Sequence, residues 1–73
     1  MIFNKKQVNF LKKEFGLEFE PDVDVALTFE DWIKITDDTF EIEADELLAA
    51  GKNNPLSERG EVAVSIIDMD YKK

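Results

Sequence analysis

The chain of 73 residues contains no cysteine and no histidine. Without these two residue types it cannot form disulfides, zinc sites built from thiolates and imidazoles, thiol nucleophiles, Ser-His-Asp triads or imidazole-based pH switches. Internal repeats and low-complexity tracts are also missing. Most enzyme templates are therefore excluded. We predict a protein that is not an enzyme and that has no catalytic residue, no metal site and no cofactor.

Long apolar runs are absent as well. The longest uninterrupted apolar runs have two to four residues, far fewer than the roughly 20 that are needed to cross a bilayer. In residues 1–17 lysines interleave with apolar residues, whereas a signal peptide has a charged region followed by an apolar run of about 7–15 residues. We therefore expect a cytoplasmic protein that does not contact a membrane.

Apolar residues are nevertheless frequent. They make up 44% of the sequence and include six phenylalanines, one tryptophan and one tyrosine, which is enough to order a core and makes wholesale disorder improbable. A chain of this length buries only roughly 60% of the surface that it exposes when unfolded. The sequence thus predicts one small domain spanning residues 1–73, with a small margin of stability.

The charge is distributed unevenly along the chain. Seventeen acidic and nine basic residues give a formal net charge of −8. Residues 1–13 carry four lysines and no acid, residues 14–46 carry thirteen acids and the single base Lys34, and residues 47–73 are balanced. The central segment repels a phosphate backbone within a Debye length of about 8 Å at physiological salt. We therefore predict no direct nucleic-acid binding and a protein partner with a basic surface.

Capping signals indicate where the first two helices begin. Asn4 followed by Gln7 is an amide version of the capping box, and it predicts a first helix over residues 4–15. Thr28 followed by Asp31 predicts the start of a second helix over residues 29–48. The apolar residues of this second segment recur with a helical period, and its predicted core face consists of Phe29, Trp32, Ile33, Thr36, Phe40, Ala44 and Leu47.

The last third of the chain permits two interpretations. Residues 51–55 have the composition of a turn, and either Asn54, which precedes Pro55, or Ser57 is placed to cap a third helix, which we predict over residues 57–70. However, residues 61–69 are rich in β-branched side chains, which also favour a strand. We predict an all-α domain of three helices, with an α+β fold in which residues 61–69 form a strand as the alternative. The predicted core consists of Val8, Leu11, Phe15, Trp32, Ile33, Phe40, Leu47, Val62 and Ile66.

Several short segments resemble a group of small acidic proteins. These segments are Phe10-Leu11-Lys12-Lys13, Gly16-Leu17, Leu27, Glu30-Asp31-Trp32-Ile33, Asp37, Ser57-Glu58-Arg59-Gly60 and Ser65-Ile66-Ile67-Asp68. The group consists of uncharacterised proteins that are encoded by phages and integrated mobile elements of Gram-positive bacteria. The resemblance implies a mobile-element setting and a helical last segment, and it implies no catalytic residue.

Five carboxylates of the predicted second helix form a candidate interaction site. Asp31, Asp38 and Asp45 recur every seven residues, and Asp37 and Glu41 lie beside them on a helical wheel. This acidic ridge has two interpretations: a solvated face that keeps the protein soluble, or a surface that docks a basic groove. In its sharpest form the second interpretation is imitation of the phosphates of DNA, whose charges are spaced about 1.7 Å apart along the axis.

Two isoleucines do not fit the predicted core face of the second helix. Ile35 and Ile42 lie seven residues apart on its flank, where they need cover from the third helix, from the loop or from another chain. They are therefore candidate exposed apolar contacts, and the sequence permits either a monomer or a homodimer.

Acidic residues in the segment before the second helix raise the possibility of divalent-cation binding. Glu18, Glu20, Asp22 and Asp24 offer oxygen ligands, but the glycine that an EF-hand requires at its sixth position is absent and the ligand spacing differs. Because the four carboxylates still offer oxygen ligands, a carboxylate-rich cation-binding protein is an alternative.

The function that the sequence favours is a non-catalytic acidic protein-interaction module, which would act as an accessory protein of a mobile element. A DNA-mimic inhibitor of a basic nucleic-acid-binding protein is a further alternative.

Overall fold

Three helices form the framework of the protein. The computed structural model describes residues 1–51 and 54–71, and in chain order it contains α1 (Lys5–Phe15), α2 (Phe29–Ala50) and α3 (Glu58–Ile67). Across these described residues β pairing is limited to one isolated antiparallel bridge between Ile2 and Asp24. The predicted all-α fold is confirmed, and the alternative strand over residues 61–69 is wrong because most of that segment lies in α3.

The helices begin where the sequence predicts. The backbone N–H of Gln7 donates to the Asn4 side chain at 2.8 Å, and the backbone N–H of Asn4 donates to the Gln7 side chain at 2.9 Å. The hydroxyl of Thr28 accepts from the backbone N–H of Asp31 at 3.1 Å, and that of Ser57 accepts from the N–H of Gly60 at the same distance. These bonds satisfy backbone donors that the first turn of a helix leaves without partners.

The helix ends differ slightly from the predicted bounds. Gly16 ends α1 in the left-handed conformation, with φ 69°, as expected of a residue without a side chain. The second helix continues to Ala50, two residues beyond the predicted end at residue 48. The third helix ends at Ile67, short of residue 70, and the backbone N–H of Met69 there donates to the carbonyl of Ile66 in a tighter turn.

The third helix packs against both of the others. Gly60 allows a close approach to α2, since a Cβ atom at this position would lie 3.1 Å from Cβ of Glu46. On its other side, the Nε2 of Gln7 in α1 donates to the hydroxyl of Ser65 at 3.1 Å. The central position of α3 explains why its sequence is apolar on two sides.

The segment before α1 and the connection before α2 close one side of the core. The ring of Phe3 is stacked on that of Phe19, with 5.5 Å between the centroids, and lies 6.4 Å from the ring of Trp32. The buried hydrophobic residues of the molecule are Phe3, Val8, Phe10, Leu11, Trp32, Ile35, Ala63 and Ile66. Four of the predicted core residues are thus confirmed, while Phe15 and Val62 are half-buried and pack against this core.

Most of the predicted core face of α2 was wrong, although the prediction for Trp32 is confirmed. Ile33, Phe40 and Leu47 are exposed, whereas the inward-facing residues of this helix are Trp32, Ile35 and Thr39. At about 100° per residue these two sets form stripes separated by roughly 120° around the helix. Both stripes have a helical period, so periodicity alone cannot decide which of them the neighbouring elements cover.

A buried hydroxyl group in α2 provides a test of the core. Thr39 is fully buried, and its hydroxyl has no hydrogen-bond partner among the described residues. Burial of such a group without a partner costs about 1–3 kcal/mol. We expect Thr39→Val to raise the free energy of unfolding in urea by about 1 kcal/mol.

Thr36→Val is the matched control, because the hydroxyl of Thr36 donates to the carbonyl of Ile33 at 3.0 Å. This substitution removes a hydrogen bond that is made, so it should bring no gain in stability. Destabilisation by Thr39→Val would show that its hydroxyl has a partner.

Candidate interaction surface on the second helix

The second helix presents three different faces. One is the buried face that contains Trp32, Ile35 and Thr39. The other two face solvent and follow at intervals of roughly 120° around the helix axis. One of them is acidic and the other apolar, so the same helix supplies both core packing and two distinct external surfaces.

The acidic ridge consists of Asp31, Asp37, Asp38, Glu41 and Asp45, as the sequence analysis defined it. All five residues are exposed, and they lie within about 120° of the circumference of α2 over a length of roughly 20 Å. None of the five carboxylates forms an ion pair with any residue that the structure describes. Their negative charge is therefore directed at solvent.

The apolar stripe consists of Phe29, Ile33, Phe40 and Leu47. These side chains are 55%, 42%, 60% and 49% exposed, respectively, and Leu48 beside them is exposed to 82%. Among the described residues, Phe29 alone of the stripe has an aromatic neighbour, since its ring lies edge-on to that of Tyr71 at 5.4 Å. Its residues belong to the core face that was predicted from the sequence, so the stripe was missed as a surface.

A signal for the stripe is nevertheless present in the sequence. The second helix carries apolar residues on its buried face as well as on the apolar stripe. In a domain of three short helices, the other two helices offer little surface to cover both faces. Ile33, Phe40 and Leu47 are also spaced seven residues apart, which is typical of a helix face that packs along another helix.

The two candidate exposed isoleucines are covered by the chain itself. Ile35 is only 5% exposed and belongs to the core, so its prediction as an exposed contact was wrong. Ile42 is half-buried and packs against the same core. Other parts of the same chain cover both side chains, because they lie on or beside the face of α2 that points into the core.

A cavity of about 370 Å³ borders the acidic ridge. It lies between α2 and the segment that joins α1 to α2, and its lining includes Asp31 and Asp38 of the ridge together with Lys34. The apolar part of the lining consists of Phe15, Leu17, Phe19, Leu27 and Ile35. The ridge is thus adjacent to an apolar depression on the side away from the apolar stripe.

Arg59 connects all three helices on one side of the molecule. Its guanidinium donates to both carboxylate oxygens of Glu14 at 3.0 and 2.6 Å and to Glu46 at 2.7 Å. The hydroxyl of Ser57 donates to the other oxygen of Glu46 at 2.7 Å. These contacts link α2 to α1 through Arg59 of α3.

The same contacts shift the acidity of the groups involved. Hydrogen bonds from Arg59 hold the pKa of Glu14 below its usual value. Hydrogen bonds from Ser57 and Arg59 lower the pKa of Glu46, and the two carboxylates raise the pKa of Arg59. Glu14 and Glu46 are therefore charged groups with a structural role, unlike the carboxylates of the ridge.

The acidic residues before α2 do not converge on a common point. Glu18, Glu20, Asp22 and Asp24 are all exposed, and the described residues contain no group of three or more carboxylates that could hold a metal ion. Among residues 1–51 and 54–71, no helix is both long and apolar enough to span a membrane.

Comparison of the chain with protein-family models, with curated proteins and with solved structures finds no match. The candidate surface is therefore defined by the residues and the geometry of α2.

The Arg59 contacts predict how stability changes with pH. The pKa values of Glu14 and Glu46 are lower in the folded chain than the usual value of 4.5, so the unfolded chain binds more protons as the pH falls through this region. The stabilisation is complete above this value and is lost as the pH falls below it. We expect the free energy of unfolding in urea to decrease between about pH 5 and pH 3.

The decrease should be smaller in Glu14→Gln and Glu46→Gln, which have no carboxylate to protonate at these positions. Glu61→Gln is the control, because Glu61 lies on α3 and is exposed. A wild-type pH dependence in both Glu14→Gln and Glu46→Gln would show that the Arg59 contacts do not contribute.

Proposed function

We propose that this protein is a non-catalytic acidic interaction module that binds a protein partner with a basic surface through the ridge on α2. The observation that supports this proposal is the exposure of five carboxylates on one side of a helix, none of which is ion-paired within the described residues. Like charges placed so closely repel one another, and a basic partner relieves this repulsion.

The packing of α2 against α3 also supports the proposal. A surface that is already ordered loses little conformational entropy when a partner binds. The packing of α3 and the contacts of Arg59 with Glu14 and Glu46 supply this order. Charge on a fixed helix accelerates encounter with an oppositely charged partner, and the acceleration decreases as salt is added.

The resemblance to small acidic proteins of phages and mobile elements supports an accessory role in such an element, in the cytoplasm of the host. A related candidate function is inhibition of a nucleic-acid-binding protein by imitation of DNA. The placement of all five ridge carboxylates along roughly 20 Å of α2 favours this candidate, because a row of closely spaced fixed anions resembles a phosphate array. In the case of DNA imitation the ridge occupies the nucleic-acid-binding surface of the partner, whereas in the other case it occupies a different basic surface.

Capture from host-cell extract with three forms of the protein tests the proposal. The ridge variant carries Asp31→Asn, Asp38→Asn and Asp45→Asn, and the control variant loses the same charge at exposed positions elsewhere through Glu20→Gln, Glu61→Gln and Asp70→Asn. We expect the wild type and the control to retain a basic protein that the ridge variant binds about tenfold more weakly, a loss of about 1.4 kcal/mol.

Retention by all three forms, or binding that does not weaken between low and moderate salt, would contradict the proposal. Addition of duplex DNA to the captured complex separates the two candidates. Displacement of the protein by DNA would support imitation, whereas a ternary complex would support a docking role at another basic surface.

A further inference from the structure

The apolar stripe on α2 is a prominent surface that the proposed function does not use. Monomeric proteins seldom expose several large apolar side chains in one contiguous row, and such patches usually mark interaction sites. We propose that the stripe binds an amphipathic α-helix of the partner, whose apolar face covers Phe29, Ile33, Phe40 and Leu47 and whose flanks carry lysine or arginine. This inference rests on the proposed function and specifies the chemistry of the partner.

The shape of the stripe favours a helix as its occupant. From Phe29 to Leu47 the stripe runs for roughly 27 Å along α2 and is about one side chain wide. Its residues follow at intervals of four and seven, which are the intervals at which a second helix places side chains along a contact seam. Because the N–H and C=O groups within α2 bond to one another, the stripe offers no backbone partners to an extended strand.

The charges beside the stripe favour a basic occupant. Glu30, Asp37 and Glu41 lie along its edge on the side of the ridge, and Glu43 lies on the opposite edge. The single base of α2 is Lys34, which lies among the ridge carboxylates. A helix that covers the stripe therefore places its flanking residues over carboxylates, and lysine or arginine at these positions forms complementary pairs.

The same charges disfavour a second copy of this chain as the occupant. Contact between two stripes would bring Asp37 and Glu43 of both copies to the edges of one seam, and each copy has a net charge of −8. Neither edge of the stripe in α2 supplies a base to offset this repulsion. A basic partner helix avoids this cost.

Synthetic peptides provide defined probes. The test peptide has the length of α2, 22 residues, with leucines spaced as a helical stripe and lysines on both flanks. A second peptide has the same composition with the leucines permuted so that no stripe forms, and a third keeps the leucine stripe but replaces lysine by glutamate. Affinities are measured by fluorescence anisotropy, and the binding surface is mapped by amide shifts in NMR spectra of the labelled protein.

We expect the test peptide to bind about tenfold more tightly than either of the other two peptides. Phe40→Gln should weaken its binding by about tenfold, and the shifts should follow the exposed face of α2. Val23→Gln is the matched control, since Val23 is 47% exposed and lies outside α2, and it should leave the affinity unchanged. Because Phe40 is 60% exposed, we expect Phe40→Gln to remain folded, which circular dichroism checks.

The outcomes separate the failure of this inference from the failure of the proposed function. The two basic peptides could bind equally well, with binding lost in the ridge variant and kept in Phe40→Gln. That result would overturn the role of the stripe and leave the proposed function standing. Binding that Phe40→Gln abolishes and the ridge variant retains would overturn the role of the ridge and with it the proposed function. Equally tight binding of the glutamate peptide would overturn the basic chemistry of the partner. No binding of either basic peptide would overturn both.

A wild type that sediments as a dimer, with Phe40→Gln as a monomer, would also overturn the inference. In that case a second copy of the chain occupies the stripe.

Discussion

The burial of one face of α2 against the rest of the molecule determines which surfaces the protein presents. Trp32, Ile35 and Thr39 lie in the core, where α3 and the segments before α1 and α2 cover them. Once this face is fixed, the helical period places the carboxylates and the remaining apolar residues toward solvent. A rotation of α2 by one third of a turn would cover the apolar stripe and redistribute the ridge, so the packing of the core and the interaction surface are one structural problem.

The elements that depend on local chemistry were predictable from the sequence. The caps at Asn4, Thr28 and Ser57 each use a side-chain oxygen and a nearby backbone N–H, and these pairs are only three residues apart. The rotation of α2 was not predictable in this way, because it depends on where α3 and the aromatic contact between Phe3 and Trp32 come to lie. These contacts join residues that are distant in the sequence, and periodicity carries no information about them.

The acidic residues of the protein have two different roles. Glu14 and Glu46 bind Arg59 between the helices, and the lowered pKa values of both residues reflect that role. The ridge carboxylates have no such partners in the described part of the chain. The ridge could be predicted from the spacing of its residues in one helix. The Arg59 cluster could not be predicted, because it unites three helices and has no local pattern.

Because the apolar stripe is exposed, the negative charge of the protein also keeps separate molecules from associating through it. At neutral pH, electrostatic repulsion between molecules of charge −8 opposes their adhesion through Phe40 and Leu47. This repulsion disappears near the isoelectric point, at about pH 4.3, while the stripe keeps its hydrophobic character. Solubility is therefore at its lowest in mildly acidic buffer, where aggregates would form through the surface that serves recognition at neutral pH.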